Sequence, residues 1–105
     1  MLEQQLERLA RAGFELLPTL EILTHYVLER GGFVALVERR PDGSFGRAGA
    51  PGRLLDGAFA VLMWRGSEGF FVAKGREEAA TAEQVAAVRR FDAELRAALR
   101  GEREN

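Results

Sequence analysis

The sequence predicts a small single-domain α+β protein: two N-terminal helices, an antiparallel sheet of three to four strands, and a long amphipathic C-terminal helix. Three observations carry this expectation. Thr81 and Gln84 have the spacing of a capping box ahead of an apolar stripe at helical intervals. Ala58 to Arg65 and Phe70 to Lys74 are two runs rich in β-formers joined by a glycine-bounded connection. Leu2, Leu6 and Leu9 recur at intervals of four and three, the signature of a helix with one narrow apolar face.

In chain order, the leucine stripe ends at Gly13, a residue suited to the left-handed position just past a helix. Glu7 and Arg11 form an i, i+4 pair on its outer face, worth about 0.3 kcal/mol. Pro18 is acceptable only at the first position of a helix, so a second helix is expected from there to about Arg30, where Gly31 and Gly32 stop it. Leu20, Ile22, Leu23, Tyr26, Val27 and Leu28 would cover most of its circumference and bury it.

Phe33 to Glu38 reads as a strand leading into the turn signal Pro41, Asp42, Gly43, with Ser44 to Arg47 pairing back as a short second strand. From there to Gly57 the glycines predict an irregular loop with a helical turn near Leu54 and Leu55. Ala58 to Arg65 is the best-marked strand, and Gly66 to Gly69 is a four-residue hairpin connection to Phe70. The last helix carries Val85, Val88, Phe91, Leu95 and Leu99 on one stripe, with Asp92 among them. Arg90 with Glu94 and Asp92 with Arg96 are its expected i, i+4 pairs, and residues 101–105 are expected to fray.

Within Ala58 to Arg65, Phe59, Val61 and Met63 alternate with Ala60, Leu62 and Trp64, and both sets are apolar. A sheet wetted on one side would alternate apolar with polar, so both faces need covers. A second copy of the chain is the expected cover for one face, with a homodimer as the assembly. Phe59, Val61, Met63 and Trp64 are the expected interface residues.

Composition excludes several classes. With 47% hydrophobic and 30% charged residues the chain is too apolar for disorder and too charged for a bundle of membrane helices. No apolar run reaches the roughly 18 residues of a membrane span, and the first residues lack a secretory signal pattern, so a cytoplasmic location is expected. Absence of cysteine removes disulfides, thiol catalysis and iron–sulfur ligation. A net charge of −1 supplies no global attraction for nucleic acid or anionic lipid.

Two clusters are candidate sites. Glu21, His25 and Glu29, at i, i+4 and i+8 of the expected second helix, would share one side and could favour a protonated histidine for proton transfer or metal contact. Three ligands strung over about 12 Å of helix cannot all reach one ion, so no metal is assigned. Arg39, Arg40, Arg47 and Arg53 surround the glycine-rich segment and could hold an anion or small ligand. Catalytic parts are scarce: one histidine, Ser44 and Ser67 in turns, and Lys74 beside Glu77 and Glu78. The expectation is therefore a non-enzymatic interaction or regulatory module without a cofactor, with anion binding as the alternative.

Overall fold

Turn chemistry builds most of this molecule, because each strand is followed by a segment short enough to return the chain beside it. The structure, a computed structural model, describes residues 2–17, 25–55 and 57–101. Helix α1 (Leu2–Arg11) comes first. Seven strands follow: β1 (Glu15–Leu17), β2 (His25–Arg30), β3 (Phe33–Arg39), β4 (Phe45–Leu55), β5 (Ala58–Arg65), β6 (Glu68–Ala73) and β7 (Arg76–Ala79). Helix α2 (Ala82–Arg100) ends the described chain. The strands form one antiparallel sheet in sequence order, an up-and-down meander.

This corrects the expected architecture. In place of two N-terminal helices and three to four strands, the described residues form one helix at each end of a seven-stranded sheet. The second helix is absent where it can be checked, since His25–Arg30 is β2, paired with β3 from Arg30↔Phe33 to His25↔Glu38. Tyr26, Val27 and Leu28 suit a strand as well as a buried helix, and an apolar run this short does not distinguish them. Cross-strand partners settle it: Val27 faces Leu36 and Leu28 faces Ala35. Residues 18–24 of that expected helix lie outside the described residues.

The segment to Gly57, expected as a loop after a short strand, is the eleven-residue β4. Its glycines hide a strand whose pairing with β3 is interrupted by two register shifts, and β5 takes only its second half, Gly52 to Leu55. Among the described residues Phe45 to Pro51 therefore has β3 alone as partner strand. Bulges and a proline on such an edge discourage unwanted pairing. β7 was invisible to pattern because Arg76, Glu77, Glu78 and Ala79 are all exposed at a sheet edge.

Other expectations agree with the structure. The capping box is complete, with the Gln84 N–H donating to Thr81 Oγ1 at 3.1 Å and the Thr81 N–H donating to Gln84 Oε1 at 2.9 Å. The hairpin of β5 and β6 is present, although the register Arg65↔Glu68 reduces its connection to Gly66 and Ser67, with Gly66 at φ +61°. Of the two expected pairs on α2, Asp92 holds Arg96, whereas Glu94 turns to Arg30 of β2 at 2.6 Å.

Both helices lie on one face of the sheet. Leu9, Phe14, Phe91 and Leu95 pack on Leu28, Ala35, Val37 and Phe45, while Val88 packs on Leu55, Ala60 and Phe71. Pairing places the intervening residues on the other face: Val27 with Leu36, Val61 with Val72, Met63 with Phe70. Principal extents of 37 × 37 × 21 Å describe this two-layer slab. Among the described residues no helix is long and apolar enough to cross a membrane.

Candidate functional site

Two surfaces stand out, one apolar and one basic, on either side of the loosely paired half of β4. The apolar one is the sheet face away from the helices. Leu36, Phe59 and Val61 are half-buried there, and with Ala48 and Ala50 they line a cleft of about 460 Å³. His25, Glu38 and Arg47 complete its wall. Beyond it Met63 is 52% exposed and Leu54 38% exposed. Of the four expected interface residues, Phe59, Val61 and Met63 thus share this face. Trp64 alternates to the helix side, 45% exposed, where the Arg89 guanidinium stands 5.3 Å from its ring centre.

The four arginines of the expected anion loop are divided. Arg39 lies over the Tyr26 ring at 4.6 Å, and the Tyr26 hydroxyl donates to the Gly43 carbonyl at 2.6 Å, which braces the β3–β4 turn. Arg53 lies over Phe71 at 5.6 Å and reaches Glu78 at 3.4 Å, tying β4 to β7 across β5 and β6. Arg40 and Arg47 instead meet Arg96 and Arg100 of α2 around a cavity of about 320 Å³. The two helix arginines were missed as site residues, since sequence distance gives no sign that α2 ends beside the start of β4.

The turn that positions Arg40 is built by Asp42 and Ser44. The Ser44 Oγ and N–H both donate to Asp42 Oδ1, at 2.6 and 2.9 Å. Those two bonds, the side-chain one first, hold the Asp42 carboxyl below its ordinary range, and the charge of Arg40 adds to them. The buried Ser44 is accordingly part of a turn brace. Its backbone carbonyl also accepts from the Arg40 N–H at 2.9 Å.

The helical spacing that grouped Glu21, His25 and Glu29 does not apply to a strand. His25 and Glu29 share one face of β2, but four residues of strand separate them by about 13 Å. Glu29 Oε2 accepts from the Gly32 N–H at 2.9 Å, within the β2–β3 turn. Glu21 lies outside the described residues. Among the described residues no three histidine or carboxylate side chains are grouped to hold a metal ion.

The chain matches no protein-family profile, no curated protein and no solved structure at a significant level.

Proposed function

We propose that this protein is a non-enzymatic interaction module that self-associates, two copies packing against each other the sheet faces opposite α1 and α2. The observation that carries the reading is the placement of both helices on one face while Phe59, Val61 and Met63 stand on the other. Size supports it. The broad face of a slab 37 Å across has an area on the order of 1,000 Å², against the roughly 800 Å² per partner of a stable protein interface. Its chemistry supports it as well: an apolar centre, with His25, Glu38 and Arg47 at one side and the Arg65–Glu77 ion pair at the other. A two-fold axis through the centre would bring such a face onto itself.

Ser44 is engaged with Asp42 and Arg53 with Glu78 in structural roles, which favours an interaction module over an enzyme built on either. A cytoplasmic location belongs to the same reading, and cell fractionation tests it.

Light scattering coupled to gel filtration tests the assembly. At micromolar concentration the chain should run at twice its 11.6 kDa mass, and Phe59→Glu combined with Met63→Glu should return it to one. Both side chains already reach solvent, so circular dichroism of the variant should match the parent. A parent of single-chain mass, or a variant that remains paired, would overturn the reading.

A further inference from the structure

Most arginines on this surface have a visible structural partner. Arg8 donates to the carbonyls of Ala98 and Leu99, Arg30 to Glu94 and the Ala12 carbonyl, Arg53 to Glu78 and Arg65 to Glu77. The cavity between β4 and the end of α2 instead gathers basic side chains from distant parts of the chain. Arg40 from the turn after β3, Arg47 from β4, and Arg96 and Arg100 from α2 line it, together with Ala48 and Leu99. No carboxylate belongs to its wall among the described residues.

Arg40 and Arg47 have no evident structural task. Among the described residues the guanidinium groups of Arg40 and Arg47 make no hydrogen bond and no ion pair within 4 Å; Asp42 is the carboxylate whose charge Arg40 feels. Arg96 gives only its Nε–H to Asp92, at 3.0 Å, so its Nη groups keep four further donors. Basic residues near a helix C-terminus often serve its last carbonyls. Here Arg8 and the Gly101 N–H already do so.

The geometry points to a binding site for a compact, multiply charged phosphate-bearing small molecule, a diphosphate or an organic phosphate ester. Planar guanidinium forks match phosphoryl oxygens two bonds at a time, and forks arriving from three elements can engage several oxygens at once. The carboxylates nearby, Asp42, Asp92 and Glu38, the last accepting the Arg47 N–H, offset part of the positive charge. A singly charged anion therefore gains little, and a multiply charged one gains most. The chain carries −1 overall, so this attraction is local and does not extend to a long polyanion track. Leu99 and Ala48 offer an apolar wall to the organic part of an ester.

Isothermal titration with inorganic pyrophosphate, at about 150 mM salt to suppress loose surface binding, tests the site. One saturable site per chain is expected, weakened at least about tenfold in Arg40→Gln combined with Arg47→Gln. Arg11→Gln, which removes only an exposed pair with Glu7, should bind as the parent does. Both substituted side chains are exposed, and an unchanged melting temperature would confirm that the variant folds. No saturable binding by millimolar pyrophosphate overturns the proposal, as does binding that the double variant retains. A single-stranded oligonucleotide that displaces pyrophosphate and binds far more tightly would transfer the site to nucleic acid and overturn it equally. The scattering mass of Arg40→Gln alone, a residue outside the pairing face, should stay that of the parent while its pyrophosphate binding weakens, which keeps the two surfaces distinct.

Discussion

A Cβ at position 52 would stand 1.9 Å from the Ala60 carbonyl oxygen and 2.9 Å from the Val61 Cα, so β4 and β5 approach this closely only because residue 52 is glycine. The atoms in the way are backbone and cannot swing aside. Gly52→Ala should therefore destabilise the protein by about 1–3 kcal/mol, read from urea unfolding. Gly49→Ala, whose nearest obstacle is the Leu36 carbonyl oxygen at 3.3 Å, should cost less. Equal midpoints for the two variants would contradict the account. The glycines at 43, 46, 49 and 52 were plain in the sequence, but their roles were not. Gly43 turns the chain at φ +86°, and Gly52 admits a neighbouring strand; only the second role depends on what lies across the sheet.

At the scale of elements, α2 is the best specified. Its start is settled by Thr81 and Gln84, its end by Gly101 at φ +75°, and its apolar stripe by Val88, Phe91 and Leu95. Thr81→Ala removes the bond from the Gln84 N–H and should lower stability by about 1 kcal/mol with the helix retained, as measured by circular dichroism during thermal melting. Helix caps are legible because every participant lies within one turn. Strands are less so. The apolar run of β2 is too short to distinguish strand from helix, and beyond Arg47 the glycines and proline of β4 carry no pattern and suggest a loop. β7 has no buried residue, and its hydrogen bonds to β6 are what make it a strand. The basic cluster was half legible for the same reason. Arg40 and Arg47 were visible beside their glycines, while Arg96 and Arg100 joined them through the docking of α2.

At the scale of the whole molecule, α1 and α2 both lie on one side of the sheet, and on the second face Val27 and Val34 are buried while Met63 and Leu54 remain exposed. If a second copy covers that face, folding and association are linked, and the melting temperature should rise with protein concentration. Midpoints that coincide across a hundredfold dilution would oppose the linkage. The sequence determined by itself that strands β3, β5 and β6 exist, that β5 is apolar on both faces, and that helices begin and end the fold, though it also implied a further helix over β2, because alternation, spacing and capping are properties of neighbours in the chain. Tertiary structure alone decided that β2, β7 and the part of β4 beyond Arg47 are strands, that α1 and α2 share one face, and that Arg40 and Arg47 stand beside Arg96 and Arg100. The strands rest on hydrogen bonds to the neighbouring strand, and the helix placement and the arginine cluster on partners brought together from distant parts of the chain; no local period records either.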